Sequence, residues 1–173
     1  MIASNIFLVG PMGAGKSTVG RQLAKSLGRD FYDSDREIEK RTGVSIAWIF
    51  EMEGEAGFRL RERKVIDELT ELKNIVLATG GGAVLAEENR RVLRSRGYVV
   101  YLSASTEQLL RRTNKDKNRP LLQTGQPEDK ITDLMTKRAP LYKDVADIEL
   151  RTGDQSIQYV VSGLIKQLES LDQ

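Results

Sequence analysis

Gly10-Pro11-Met12-Gly13-Ala14-Gly15-Lys16-Ser17, near the N-terminus, fills every required position of the phosphate-binding pattern G-x-x-x-x-G-K-[ST]. Glycines let such a loop fold tightly, so that its N–H groups converge on phosphate oxygens at the positive end of the following helix. Lys16 then neutralises charge on the β- and γ-phosphates, and the Ser17 hydroxyl is placed to ligate Mg²⁺. A plain glycine-rich turn accounts for the bend but not for the Lys-Ser pair that ends it. The expectation is a chain that handles a nucleoside triphosphate.

Further candidates lie downstream. Asp33 and Asp35 straddle the start of a helical pattern that Ser34 and Glu37 are expected to open as a capping box. In open α/β sheets ligands sit beyond the carboxyl ends of the strands, the edge that also carries the phosphate loop. One of these aspartates is thus placed to hold Mg²⁺ through water and the other to receive a hydroxyl proton from an acceptor, although both also favour the helix dipole. Gly80-Gly81-Gly82 follows an apolar run and brings bare backbone N–H groups to the cleft. Segment 111–119 holds Arg111, Arg112, Lys115, Lys117 and Arg119 against Asp116 alone, a density suited to a flap closing over triphosphate. Read from the residues alone, Arg59, within helical reach of Glu55 and Glu62, is a surface ion pair, and Arg138 has plain surroundings. Asn114-Lys115-Asp116 resembles a guanine-reading motif, but its aspartate comes one residue early and no strand precedes it.

These residues need a frame, and short apolar runs alternating with helical patterns supply it. Strands are expected near Ile6–Val9, Phe31–Tyr32, Ile75–Ala78, Val99–Leu102 and Ile148–Leu150, and alternation of this kind builds a parallel sheet covered on both faces. The first helix carries Val19, Leu23 and Leu27 on one stripe and stops at Gly28; the last carries Ile157, Val160, Val161, Leu164, Ile165 and Leu168. Residues 33–72 hold successive helical patterns with no strand between them, which predicts an inserted helical region. Residues 114–127 are polar, basic and broken by two prolines, which predicts a lid.

At 173 residues the chain suits one domain, and a net charge of +2 is too small to point to nucleic acid or an anionic membrane. Cysteine and histidine are both absent, so catalysis falls to carboxylates, lysine, arginine and hydroxyls, and the usual zinc sites are excluded. No apolar stretch approaches the roughly 18 residues of a membrane span and no signal-type segment opens the chain. A soluble cytoplasmic protein is expected.

Taken in order, Gly10–Ser17, Asp33-x-Asp35, Gly57-Phe58-Arg59, Gly80-Gly81-Gly82, Arg119-Pro120-Leu121-Leu122 and Arg138-Ala139-Pro140-Leu141-Tyr142 resemble the bacterial shikimate kinases over essentially the whole chain. The resemblance implies a three-layer α/β/α P-loop NTPase fold of the nucleoside monophosphate kinase type. That fold has a five-stranded parallel sheet, a phosphate loop at 10–18, a helical substrate-binding region at about 33–62 and a lid at about 112–127, all in a single domain spanning 1–173. It implies ATP-dependent phosphorylation of the 3-hydroxyl of shikimate, a step toward chorismate and the aromatic amino acids; nothing in the sequence suggests an obligate interface, so a monomer is expected. By the same resemblance Gly13, Ala14, Gly15, Lys16, Ser17 and Thr18 contact ATP phosphates, and Ser17 and Asp33 hold Mg²⁺, Asp33 through water. Asp35, Arg59, Gly81 and Arg138 bind shikimate, with Asp35 orienting or deprotonating the hydroxyl. Arg119 reaches the phosphates from the lid and, with Lys16 and Asp35, completes the catalytic set, while Arg112 and Gln155 flank the adenine. Another small-molecule kinase on this scaffold and a non-catalytic nucleotide sensor are the alternatives, separated from it by ADP production that depends on shikimate.

Overall fold

A computed structural model of the chain describes residues 1–113 and 127–173. Five strands, β1 (Asn5–Val9), β2 (Asp30–Asp33), β3 (Ile75–Ala78), β4 (Gly97–Ser103) and β5 (Ile148–Arg151), form one sheet in the order β2-β3-β1-β4-β5. Every pairing is parallel, and all five strands expected from the apolar runs are present. The central strand β1 shows why the sheet must be covered on both sides. All five of its residues are buried; Ile6 and Leu8 enter one apolar cluster and Phe7 and Val9 the other, because successive side chains on a strand point to opposite faces.

Helix α1 (Lys16–Leu27) and α7 (Ile157–Leu171) cover the first face, with Leu109 of α5 (Thr106–Thr113) and Ile131 of α6 (Pro127–Val145). The second is covered by α2 (Ser34–Thr42), α3 (Ile46–Thr70) and α4 (Glu87–Arg96), together with Tyr142 and Val145 of α6. The two expected stripes are the contact surfaces: Val19 and Leu23 of α1, and Val160, Val161, Leu164 and Leu168 of α7, are buried. Gly28 and Gly43 close α1 and α2 in the left-handed conformation. Residues 33–72 hold two successive helices, α2 and α3, with no strand between them, and this pair stands between β2 and β3 where a single crossover helix is usual.

The start of α2 differs from expectation. Asp33, not Ser34, is the N-cap: its Oδ1 accepts from the backbone N–H groups of Asp35 at 3.0 Å and Arg36 at 3.2 Å. Ser34 is the first helical residue, fully buried, and its hydroxyl accepts from the Gly80 N–H at 3.1 Å. Glu37 pairs with Arg41 one turn on, at 3.2 Å, so no capping box forms. The aspartate wins the cap because the serine is committed to Gly80, and the result ties the start of α2 to the loop that follows β3.

Candidate active site

The phosphate loop leaves β1 and turns into α1 through left-handed glycines, Gly13 at φ 82° and Gly15 at φ 95°. Gly15 is the N-cap of α1 and gives no side-chain hydrogen bond, and the first turn holds no acidic residue. By contrast α2, α3 and α7 are capped by Asp33, Ser45 and Ser156. The orphan N–H groups of α1 are therefore kept for an external acceptor, with the positive end of the helix behind them. Lys16 folds back over its own loop, Nζ donating to the carbonyls of Gly10 at 2.7 Å and Pro11 at 2.9 Å. The Ser17 hydroxyl donates to Asp33 Oδ2 at 2.6 Å, which places two hard oxygen donors side by side at the mouth of the loop.

A cavity of about 540 Å³ opens from this loop. Along its far wall Gly80, Gly81 and Gly82 face charged side chains. A Cβ on Gly80 would stand 2.7 Å from Asp35 Oδ1 and 3.1 Å from Glu62 Oε2; on Gly81, 3.4 Å from Arg138 Nη1; on Gly82, 2.6 Å from Arg59 Cζ. Close approach favours bare backbone at Gly80 and Gly82, since a side chain there would displace the acids or Arg59, whereas Gly81 meets Arg138 at an ordinary contact distance. The Gly81 carbonyl accepts from the buried Tyr142 hydroxyl at 2.5 Å, so the Arg138-to-Tyr142 stretch of α6 both supplies an arginine and braces the glycines. Phe50 and Phe58, with ring centroids 4.9 Å apart, add an apolar wall.

Gly13, Gly15, Lys16, Ser17, Thr18, Asp33, Asp35, Arg59, Gly81, Arg112 and Arg138 all line this one cavity. Ala14 is buried within the loop and reaches the same region through its carbonyl, which accepts from Thr152 Oγ1 at 2.9 Å. Arg112 on α5 donates to the Gly13 carbonyl at 2.9 Å and to the Gly153 carbonyl at 3.3 Å. Gln155 is exposed and turns its amide oxygen to within 3.1 Å of a Cβ built on Gly153, so Arg112 and Gln155 meet at one loop beside the phosphate loop. Arg119 and most of the expected lid lie outside the described residues.

Two arginines read from sequence as surface charges are not. Arg138 is 5% exposed, and Arg59 donates at 2.9 Å to Glu62, which is 1% exposed. Its second carboxylate, Glu55 at 3.3 Å, is the exposed partner the pattern suggested.

Glu62 is the residue that sequence reasoning missed. It lies on the buried stripe of α3 with Phe58, Val65, Ile66 and Leu69, and a carboxylate on an apolar stripe is the signal that marks it. Glu62 Oε2 and Arg59 Nε are buried with no hydrogen-bond partner among the described residues, which is costly unless a ligand completes them. Burial pushes the Glu62 carboxyl above its ordinary 4.5, against the pull of Arg59 and Arg138. The folded chain therefore holds this proton more tightly than the unfolded chain does. The stability so gained is full below the ordinary value and is lost as pH rises through the folded pKa. Glu62→Gln should abolish this component, so the melting temperature of wild type relative to the variant should fall as pH rises above about 4.5. Scanning fluorimetry of both proteins across pH checks it; parallel curves would refute the assignment.

The comparisons with known proteins decide the family. The shikimate kinase family model matches residues 12–169. The chain belongs to the shikimate kinase family. It is 61% identical to the shikimate kinase of Nitrosococcus oceani over 97% of this chain and 88% of that one. Shikimate kinase 1 of Yersinia pestis is 56% identical over 96% of both. The shikimate kinase of Acinetobacter baumannii, solved in complex with shikimate, superposes with a TM-score of 0.96 at 53% identity, covering 98% of this chain and 94% of that one. A gluconokinase from Sinorhizobium meliloti shares the fold alone, at a TM-score of 0.61 and 14% identity. The P-loop α/β fold and the five-stranded sheet are those of the shikimate kinase family.

Proposed function

We propose that this protein transfers the γ-phosphoryl group of ATP to the 3-hydroxyl of shikimate, giving shikimate 3-phosphate and ADP. The observation that carries the reading is one cavity in which the phosphate loop faces Asp35 and a pair of arginines across Gly80 to Gly82. Loop N–H groups and Lys16 take the phosphates of ATP. Arg59 and Arg138 take the carboxylate of shikimate by charge-assisted hydrogen bonds. A ring anchored at its carboxylate and resting on Phe50 and Phe58 presents a hydroxyl to Asp35, which orients it and accepts its proton as the oxygen attacks phosphorus.

Ser17 and Asp33 fit Mg²⁺. Among the described residues no cluster of three or more acidic, histidine or cysteine ligands exists, and magnesium bound with a nucleotide needs only one or two protein oxygens beside phosphates and water. Ser17 Oγ would coordinate the ion directly and Asp33 through water; when bound, it supplies charge neutralisation on the β- and γ-phosphates. Arg112 from α5 and Gln155 from beside Gly153 flank the adenine, and Arg119 reaches the phosphates from a lid at about 112–127. We take the working protein to be a cytoplasmic monomer. Among the described residues no helix is long and apolar enough to cross a membrane.

Phosphorus NMR of the product tests the reading: a new monoester resonance is expected with ATP and shikimate but not with gluconate or nucleoside monophosphates. Transfer to one of those acceptors in its place would overturn it. Arg59→Ala should raise the Kd for shikimate about 10- to 100-fold and leave the Kd for ATP within about twofold. Calorimetric titration of each ligand separately checks it, and equal losses for both would point to a collapsed α3 instead.

A further inference from the structure

Helix α3 is broken. At Gly54 the backbone takes φ 73° and ψ 177°, a region that only glycine occupies without strain. Nothing lies within 4 Å of the place where a Cβ would stand on Gly54, so this glycine serves conformation and not space. The break separates an outer segment, 46–53, from an inner segment, 55–70. Each side contributes to the cavity: Ile46, Ala47 and Phe50 from the outer segment, Phe58, Arg59 and Glu62 from the inner. The angle across one permissive residue therefore decides where the outer segment stands relative to the arginine that grips the acceptor.

Two contacts bridge the break. In the cavity wall Phe50 meets Phe58. Outside that lining, the Glu53 carboxylate takes two parallel bonds from Arg61, Nε at 2.9 Å and Nη2 at 2.7 Å. Eight residues along an unbroken helix span about 12 Å, so this fork exists only because the helix is bent. A second feature is built for the same contact: a Cβ on Gly57 would stand 2.5 Å from Glu53 Cβ, so the inner segment carries a glycine where the Glu53 side chain lies against it.

We propose that Glu53 and Arg61 form a latch that fixes the bend of α3 at Gly54 and thereby positions the outer segment over the acceptor, making them positioning residues for shikimate. Both side chains are solvent-exposed, and an exposed pair contributes little to global stability. Its effect is local, because it restrains a joint that Gly54 leaves loose and that the ring-binding wall depends on. The bidentate geometry restrains angle as well as distance, which a lysine in place of Arg61 would not. The inference rests on shikimate as the acceptor, which wild-type turnover reports separately.

The test is steady-state kinetics of Glu53→Gln, Arg61→Ala, Gly57→Ala and the Glu53→Gln/Arg61→Ala double variant. Arg63→Ala, whose partner Glu88 stands 3.7 Å away on α4, serves as the control. The first three should each raise the KM for shikimate about fivefold while the KM for ATP, kcat and the melting temperature stay at wild-type values. The double variant should be no worse than either single one. Gly57→Ala is the sharpest arm, because alanine favours the helix and yet should weaken shikimate binding. Trp48, the only tryptophan of the chain, rides on the outer segment and is 45% exposed. Its time-resolved fluorescence anisotropy reads the segment without any substrate, and added motion is expected in the three single variants. Unchanged shikimate KM, additive effects in the double variant, parallel changes in ATP KM, or unchanged Trp48 motion would each overturn the latch.

Discussion

Asp35→Asn should leave a folded protein that binds both ligands and turns over about 10²- to 10⁴-fold more slowly, the usual contribution of a positioned base. The substitution preserves size and removes only the ability to carry charge and take a proton. Asp35 sits in the first turn of α2, held there by the Asp33 cap and by the Ser34 hydroxyl bonded to Gly80, so its position does not depend on its own charge. Its carboxylate lies against Gly80 beside the buried Glu62, at the junction of the arginine pair and the phosphate loop. Single-turnover kinetics with calorimetric binding of shikimate separates chemistry from affinity. A near-normal kcat would remove Asp35 from proton transfer and leave it an orienting role at most.

Lys16→Ala should cost about 10³-fold in kcat/KM for ATP, comparable to removing a preorganised charge from a phosphoryl transition state. Lys16 Nζ is held by the Gly10 and Pro11 carbonyls and the residue is only 9% exposed. The cation is thus kept at the loop before nucleotide arrives. Arrival of triphosphate replaces carbonyl dipoles with anionic oxygens, a trade that grows in strength as charge develops. Shikimate affinity should be preserved, because Arg59 and Arg138 are carried by α3 and α6 and not by the loop. Circular dichroism and shikimate titration on the same sample check it; loss of shikimate binding as well would indicate a disrupted loop and not a missing charge.

What could be read from the sequence follows the range of the interactions involved. The phosphate loop is encoded within eight consecutive residues, since its geometry arises from glycines and the adjoining helix end. The inner strands β1, β3 and β4 were legible because a parallel sheet buried on both faces demands short apolar runs, and the edge strands β2 and β5 keep only the shorter runs Phe31–Tyr32 and Ile148–Leu150 among charged residues. Arg138 was not, because it lies where α6 meets Gly81, to which Tyr142 of the same helix also bonds, a contact between segments more than fifty residues apart. Arg59 was half legible: helical spacing named both of its carboxylates, but only the fold distinguishes the exposed Glu55 from the buried Glu62. The cap of α2 was misassigned for a related reason. Ser34 fits the local pattern, yet its hydroxyl is drawn to Gly80, just beyond the end of β3, and a long-range hydrogen bond outweighed a short-range motif. Family resemblance pointed to both arginines where unaided spacing did not, and both line the cavity, since the ordered set of motifs carries tertiary information that no single segment holds.

The central claim is that a nucleotide and a carboxylate-bearing acceptor occupy the two halves of one cleft at the same time. ADP release measured at saturating magnesium-ATP while shikimate is varied tests it most directly. The account predicts a hyperbolic rise from a near-zero baseline, with one ADP formed per shikimate consumed. ADP release that is unaffected by shikimate, or absent although magnesium-ATP is bound, would contradict it.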